Sequence, residues 1–343
     1  GPGVPDTARG NRRGQPRQYR NTGGVVLIAD LRRYWETVRW LRPEQISGRI
    51  TNHLRFARSP QVGAVRPRPA SCHWAPPARR AAALDHEGKP RFLNQSGKIE
   101  TEDDWNSPTM PRLWLYNLHY FDDLNSIGAG ERTDLHRSLI PRWIAENPPF
   151  EGTGWEPYPC SLRIVNWIKW TLSGNELQPD WLQSIALQSA WLEKHIEWHL
   201  LGNHLFANAK ALVFAGLFFE GRGAERWLSK GLEILQREIP EQILDDGGQF
   251  ELSPMYHLIA TEDVLDLVNA AKACPGLVDK DVVEHWKQTA RKMLEWASVM
   301  RHPDGQMALF NDSAFGIAPE PDEIFSYAER LGIEFEPPSG ALQ

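Results

Sequence analysis

Hydrophobic residues recur at helical spacing along most of the chain, from about Arg112 onward. Apolar side chains three and four positions apart form one face of an α-helix, whereas a half-buried strand alternates apolar and polar positions. This region of the sequence contains no convincing alternating run. The pattern predicts helices at about 112–126, 132–146, 160–173, 179–200, 203–219, 224–238, 255–272, 280–300 and 320–331.

Short links join these helices, so consecutive helices should run antiparallel. The helices 160–173, 203–219 and 255–272 are alternate members of the series, and they should therefore run parallel with their N-termini on one side. We predict an all-α fold, an incomplete (α/α) toroid of antiparallel helix hairpins over residues 112–335. Its open end would form a cleft, and the residues at those three helix N-termini would face it.

The chain outside this helical region is predicted to have little regular structure. Residues 1–24 are rich in Gly, Pro and Arg and almost devoid of apolar side chains, which predicts a disordered head. Residues 25–111 should hold a short amphipathic helix, Leu31–Leu41, and a Pro- and Arg-rich wrapping segment at 60–90. Residues 336–343 form a tail.

The composition is that of a soluble globular protein, with 41% hydrophobic and 24% charged residues among 343. No apolar stretch approaches the roughly 20 residues of a membrane helix, so no membrane insertion is expected. Fifteen tryptophans indicate a large aromatic core, an aromatic groove for sugar rings, or both, with the core taking most of them. Cys72, Cys160 and Cys274 form no closely spaced pair, so we expect free thiols, no metal site and no cofactor.

The net charge of −6 is unevenly distributed along the chain. Residues 1–90 hold 17 Lys and Arg against 6 Asp and Glu, and the remainder holds 21 against 38. A basic head is typical of nucleic-acid-binding arms, but no aromatic residue interleaves its first 18 positions and no binding motif is present. We therefore expect no nucleic-acid partner.

The first of the three helix starts carries a polar and aromatic face. Arg163, Asn166 and Trp167 recur at helical spacing in the helix 160–173, and Trp155 precedes it in a Gly- and Pro-rich loop. An arginine pairs with carboxylates and an indole covers a sugar ring, so this face suits a sugar acid. A core helix with a structural ion pair would give the same pattern.

The second helix start is the run Gly202-Asn203-His204. Asn203 could be an N-cap, because asparagine is favoured there, and His204 would then be an ordinary first-turn residue. Alternatively, the amide and the imidazole form an anion site, since the N–H groups and the dipole of a helix N-terminus both favour negative charge.

At the third helix start, the sequence predicts Ser253 as the N-cap and Pro254 at the first helical position. Tyr256 and His257 then fall in the first turn. A tyrosine there usually packs or caps, but the helix dipole could lower the pKa of its phenol and make it a usable base.

Together, these three starts suit the β-elimination of a uronic-acid glycoside. The substrate carboxylate must be neutralised, and Asn203 and His204 are suitable donors. A base must remove the C5 proton and an acid must protonate the departing C4 oxygen. Tyr256 can do both when the two groups lie on one face of the sugar ring; otherwise a histidine on the other face is needed.

The sequence from about Leu113 to Pro319 resembles the heparinase II/III-like polysaccharide lyases, in their N-terminal α/α toroid. The resemblance implies that Asn203 and His204 neutralise the uronate carboxylate and that Tyr256 is the base. It also implies an acidic polysaccharide substrate and a periplasmic or secreted location, although no signal peptide is visible. The segments that carry it are LWLYNLHYFDDLN (113–125), GTGWEPYPCSLRIVNWIKW (152–170), GNHLFANAKALVFAGLFFEG (202–221), EQILDDGGQFELSPMYH (241–257) and FNDSAFGIAP (310–319).

Members of this family normally continue into a C-terminal β-sandwich that closes over the cleft. The sequence reaches Gln343 just past the last predicted helix, so we expect this sandwich as part of a full-length protein. Its loss could leave the present chain inactive. The candidate substrate-binding residues are those at or near the helix starts: Arg163, Asn166, Trp155, Glu251, His257 and Trp167.

Two other functions fit the same fold. An inverting glycoside hydrolase would need two carboxylates roughly 6.5–9.5 Å apart, for which Glu156 with Glu251 or Asp246 are candidates. Glu251 could equally be a structural partner of Arg163. A non-catalytic protein could instead bind polysaccharide during the assembly of a cell-surface polymer.

Overall fold

A computed structural model describes residues 41–54, 60–69 and 74–336, together with Trp35 and Arg39. The predictions for the head at 1–24 and for Cys72 lie outside these residues, as does most of the predicted helix Leu31–Leu41 and of the tail.

The prediction of an all-α fold is confirmed. The only strands in the described ranges are the two-residue pair β1 (Arg91–Phe92) and β2 (Gln95–Ser96), which is antiparallel. All nine predicted helices are present; those predicted at 112–126 and 179–200 each end six residues early, and the other ends differ by at most four residues. In chain order the helices are α1 (Pro43–Leu54), α2 (Arg112–Tyr120), α3 (Thr133–Glu146), α4 (Pro157–Leu172), α5 (Pro179–Lys194), α6 (Gly202–Phe218), α7 (Arg222–Gln242), α8 (Pro254–Ala273), α9 (Lys280–Val299) and α10 (Pro321–Leu331).

Helix α2 is shorter than its predicted span of 112–126 because the backbone reverses at Phe121. This residue has a left-handed conformation with φ 60°, and a short turn, Asp122–Asn125, follows it. The change of direction turns the side chains of Tyr120 and Asp122 toward the open end of the toroid, where both line a cavity.

Helix α6 is the centre of the toroid. Every residue from Leu205 to Phe218 is buried, because the helix packs against α4, α5, α7 and α8. A helix that is hydrophobic all round belongs in a core. Its contact with α7 is so close that a Cβ at Gly231 would lie 2.7 Å from the carbonyl oxygen of Ala209. The array continues as α8 packs against α9 and α10, which gives the toroid of helix hairpins.

The segment before α2 wraps across the helices. The Arg68 amide donates to the Phe218 carbonyl (2.7 Å), at the end of α6. Further along, the side chain of Asn269 on α8 both accepts from the Ala75 amide (3.0 Å) and donates to its carbonyl (2.8 Å). This irregular segment is thereby held in place by hydrogen bonds to the end of α6 and to a side chain of α8.

Aromatic residues fill much of the core. Nine of the fifteen tryptophans are buried there, as their number predicted. Trp143 is central, with its ring 6.0 Å from that of Trp155 and 5.9 Å from that of Trp167. Cys160 and Cys274 are free thiols. In the part of the chain that the structure describes, no helix is long and apolar enough to cross a membrane.

Candidate functional site

The N-termini of α4, α6 and α8 open onto one cavity of about 430 Å³, which we call the central cavity. Tyr158 from α4, Asn203 and His204 from α6, and Tyr256 from α8 all line it. The parallel direction of these alternate helices therefore brings together three helix starts that lie far apart in sequence, as the order of helices predicted.

Asn203 presents an unengaged amide to the central cavity. Helix α6 begins at Gly202, so Asn203 lies within the first turn, and the prediction that it is an N-cap is wrong. Its half-buried side chain makes no hydrogen bond within the described ranges. A buried or half-buried amide normally finds a partner, so this one is available to a ligand.

His204 is held in place on two sides. Its Nδ1 lies 3.2 Å from Oε1 of the buried Glu197, and its ring packs against that of Tyr158 at a tilt of 33°, with centroids 4.3 Å apart. Glu197 is fixed in turn by the Asn208 amide, which donates to its other oxygen (3.1 Å). With Nδ1–H directed at Glu197, Nε2 is the ring atom that faces a ligand, and it can donate to a carboxylate when the ring carries a proton on both nitrogens.

Tyr256 is positioned by a capped helix start. The Ser253 hydroxyl accepts from the Tyr256 amide (3.2 Å), which confirms the predicted cap, and Pro254 follows it. The Tyr256 hydroxyl donates to Oδ2 of Asp312 (3.4 Å). Burial and the charges of Asp312 and Glu251 raise the pKa of this phenol above its ordinary value. The expectation that the helix dipole lowers this pKa is therefore wrong.

Backbone strain concentrates beside the residues of the central cavity. Leu201 (φ 61°) precedes α6, Leu252 (φ 54°) precedes α8, and Asn311 (φ 51°) is next to Asp312. Non-glycine residues rarely adopt this left-handed region, and such conformations cost on the order of 1–3 kcal/mol each. Strain of this kind is typical of functional sites, where the fold holds side chains in fixed positions.

Buried ion pairs form the floor of the central cavity. Lys169 on α4 bonds to Glu262 (3.1 Å) and Asp266 (2.9 Å) of α8, and Lys210 on α6 bonds to the same Asp266 (2.6 Å). Although burial opposes its ionisation, the neighbouring Arg80 and Lys169 hold the pKa of Glu262 below its ordinary value. These pairs join the three helices whose N-termini carry the site. These pairs were not predicted, although the spacing of Glu262 and Asp266 places both on one face of α8.

Arg163 does not reach the cavity, which corrects the expectation that it binds a substrate carboxylate. Its buried guanidinium donates to Oε1 of Gln188 (2.9 Å) and to the carbonyls of His119 (3.1 Å) and Gly154 (2.7 Å). It also lies 3.7 Å from the centroid of the Trp143 ring. Burial lowers its pKa to about 10. Glu251 is not among its partners, so the alternative pairing of these two residues is also wrong.

Three further candidates are buried away from the cavity, and the expectation that they contact substrate is corrected. Trp155 and Trp167 belong to the aromatic core. His257 has no exposed surface, accepts from the Gln249 amide at Nδ1 (3.3 Å) and donates from Nε2 to the Met293 carbonyl (2.9 Å). Burial lowers the pKa of His257 to about 4, so it is a neutral structural residue.

The two remaining candidates have different positions. Asn166 lines the central cavity, but its amide donates to Oδ1 of Asp122 (2.6 Å) and to the Tyr120 carbonyl (3.0 Å). Glu251 is exposed outside the cavity lining, and its Oε1 accepts from Gln249 (3.3 Å). Asn166 thus orients other groups of the cavity, and Glu251 acts on Tyr256 through its charge.

The carboxylates that a hydrolase would need are engaged elsewhere. Glu156 is bound by Arg112 and Tyr116, and Asp246 accepts from the Gly248 amide (2.9 Å). Within the described ranges, no group of three or more His, Cys, Asp or Glu side chains is arranged to hold a metal ion. Further residues of the cavity lining were not predicted from the sequence, among them Tyr116, Tyr120, Tyr158, Asp122 and Asp312.

The fold and the cavity together define an α/α toroid protein with a polar, tyrosine-rich cleft at its helix N-termini. The profile of the family Heparinase II/III N-terminus matches residues 136–319, more than half of the chain. The protein belongs to this family.

Curated relatives include three heparin-sulfate lyases. The one from Bacteroides stercoris is 34% identical over 113 residues, which are 33% of this chain and 17% of its own. The one from Pedobacter heparinus is 33% identical over 135 residues, 39% of this chain and 20% of its own. The one from Bacteroides thetaiotaomicron is 28% identical over 193 residues, 51% of this chain and 27% of its own. The chain thus spans about a quarter or less of the length of these relatives.

Solved structures to which this chain is similar include a heparan sulfate lyase and a heparinase. The heparan sulfate lyase HepC from Pedobacter heparinus has a TM-score of 0.46 at 22% identity, covering 64% of this chain and 37% of its own. The Heparinase III-BT4657 gene product with methylated lysines has a TM-score of 0.48 at 18% identity, covering 91% of this chain and 52% of its own.

Proposed function

We propose that the protein is the toroid part of a polysaccharide lyase, which cleaves a uronic-acid-containing polysaccharide by β-elimination. The observation that carries this proposal is the unpartnered amide of Asn203 beside His204 and Tyr256 on one cavity wall. Its relatives are named as heparin-sulfate lyases, which supports the same class of reaction.

In the proposed reaction, Asn203 and His204 bind the uronate carboxylate. Hydrogen bonds to that group stabilise the negative charge that develops on it when the neighbouring C5 proton leaves, and donors fixed before the reaction do so most effectively. The rigid hold of Glu197 and Tyr158 on His204 keeps its imidazole oriented for this role.

Tyr256 moves the protons. The phenol loses its proton to solvent before the reaction, and the phenolate then accepts the C5 proton. The C5–H electron pair forms the C4–C5 double bond, and the C4–O bond breaks with its electrons moving to the leaving oxygen. Tyr256 then donates its proton to that oxygen, which completes the elimination when both groups lie on one face of the ring.

The substrate and location follow as part of this proposal. The substrate would be an acidic polysaccharide, and the protein would act on it in the periplasm or outside the cell. A C-terminal β-sandwich in a full-length protein would cover the central cavity, and its absence would reduce turnover by the 343-residue chain.

The test is an ultraviolet assay for the unsaturated product, with a panel of uronate polysaccharides and the full-length protein. We expect absorbance to rise with wild type and not with Tyr256→Phe, because that change removes the proton-transfer group while keeping the aromatic ring. Polymer binding by Tyr256→Phe should remain near the wild-type level, which serves as the control for folding. Equal turnover by the two proteins would exclude Tyr256 as the base, and new reducing ends without ultraviolet absorbance would indicate a hydrolase.

A further inference from the structure

A second cavity of about 650 Å³ adjoins the central cavity, and we call it the adjoining cavity. Tyr116 and His204 line both, so the two share a wall. The loop between α5 and α6 forms one side of the adjoining cavity; Arg112, at the start of α2, and Glu156, which immediately precedes α4, also line it. Together the two cavities form an elongated depression that a linear polymer could follow past His204.

Arg112 is the accessible cation of this depression. Its side chain is 71% exposed, its Nη2 bonds to Glu156, and its guanidinium carbon lies 5.4 Å from the centroid of the Tyr116 ring. A guanidinium carries five N–H donors, so one carboxylate contact leaves others for a ligand. Glu156 also accepts from the Tyr116 hydroxyl, which fixes the carboxylate that orients Arg112.

The cations that line the central cavity are less accessible than Arg112. The side chains of Arg80, Lys169 and Lys210 are only 25%, 3% and 5% exposed, and each bonds to a buried carboxylate of α8, so they leave little donor surface for a ligand. Removing a ligand's charge from water is costly unless a partner compensates it. A second anionic group on the polymer is therefore better accommodated at Arg112 than in the central cavity.

We propose that the adjoining cavity is a second sugar subsite, which binds the next acidic residue along the polymer after the one held in the central cavity. Arg112 pairs with its carboxylate or sulfate group, and the imidazoles of His195 and His199 lie in the same wall beside its hydroxyls. This inference rests on the proposed function for the position of the first sugar, and it adds a requirement for chain length.

The experiment measures oligosaccharide binding by calorimetry with the 343-residue chain carrying Tyr256→Phe, so that cleavage cannot interfere. The probes are a disaccharide and a tetrasaccharide of alternating glucuronate and N-acetylglucosamine, and a tetrasaccharide that also carries sulfate. We expect the tetrasaccharide to bind about five- to tenfold more tightly than the disaccharide, as one additional exposed ion pair and its hydroxyl contacts would give. Arg112→Ala should remove this gain while leaving disaccharide affinity unchanged.

Arg226→Ala is the matched control. Arg226 is also an exposed arginine at 62%, paired with a carboxylate, Glu193, but it lies outside both cavities. It should keep the full dependence on length. A gain that persists in Arg112→Ala, or a loss shared equally with Arg226→Ala, would overturn the subsite, as would an absence of oligosaccharide binding.

The two proposals fail separately. If the ultraviolet assay shows no elimination but the length dependence requires Arg112, the subsite stands and the lyase reaction does not. If elimination proceeds and affinity is independent of length, only the subsite is overturned. A larger loss in Arg112→Ala for the sulfated tetrasaccharide than for the unsulfated one would identify sulfate as the paired group.

Discussion

The hydroxyl of Tyr256 lies 3.4 Å from Oδ2 of Asp312, although 56 residues separate the two in sequence. The contact depends on a loop that is attached to the start of α8. Asn311 donates from its amide to the Leu252 carbonyl (2.7 Å), and the Ser253 hydroxyl donates to the Asp312 carbonyl (2.8 Å). Asp312 is therefore a fixed neighbour of the proposed catalytic phenol.

Asp312→Asn should lower the pKa of Tyr256 toward the ordinary value for tyrosine. The carboxylate raises this pKa because its negative charge disfavours the phenolate, and the neutral amide does not. The change is measured by titrating phenolate absorbance in each background with and without Tyr256→Phe. Asp304→Asn, an exposed acid in a turn, is the control and should leave the titration unchanged. An unaltered titration in Asp312→Asn would contradict the contact.

Asn203→Ala should impair turnover without loss of stability. Removing one donor to the developing charge lowers kcat by on the order of 10²–10³-fold. The amide bonds to no described residue and is not a cap, so the free energy of unfolding should change little. Activity assays and thermal unfolding together test both statements.

Asn208→Ala provides the contrast on the same helix. Its amide group bonds to Ser161 (3.0 Å) and to Glu197 (3.1 Å), and all three residues are buried. We expect a loss of about 1–3 kcal/mol, because buried polar groups would lose their partners. Equal destabilisation by Asn203→Ala would show that Asn203 also has a structural role.

Asp123 should make the fold sensitive to acid. Burial opposes its ionisation, but hydrogen bonds from His136, Arg132 and the backbone amides of Leu84 and Ala83 lower its pKa to about 2, from 3.8 in the unfolded chain. The stabilisation, about 2 kcal/mol, is therefore complete above pH 4 and is lost as the pH falls toward 2.

Urea unfolding at several pH values between 7 and 2 measures this contribution. Asp123→Asn should be less stable than wild type at pH 7, and the difference should shrink as the pH falls from 4 to 2. A constant difference over that interval would mean that the pKa of Asp123 is not lowered in the folded protein.

Arg163→Met should destabilise the protein rather than weaken substrate binding. The change leaves the carbonyls of His119 and Gly154 and the side chain of Gln188 without their donor in the core. Each unsatisfied buried group costs about 1–3 kcal/mol, so the free energy of unfolding should fall by several kcal/mol. The KM of the folded fraction should be unchanged, and a large rise in KM at normal stability would restore Arg163 to the site.

The sequence was sufficient to predict the helices and to predict that the N-termini of α4, α6 and α8 lie together. Helical periodicity is local, and the order of antiparallel helices then determines which ends lie together. It did not show that Arg163 lies in the core whereas Asn166 lines the cavity. Helix α4 is buried on nearly all sides, and its polar residues lie on one face. Nor did it find Asp312, since only the three-dimensional path of the loop at 311–313 brings that carboxylate to α8.

The attachment of that loop to the start of α8 has a consequence for the energetics of binding. Tyr256 and Asp312 are brought together when the protein folds, so the conformational entropy of ordering them is lost before any polymer arrives. Binding then requires conformational ordering of the substrate alone. A larger share of the free energy of the protein–substrate contacts therefore remains to lower the activation barrier to proton transfer.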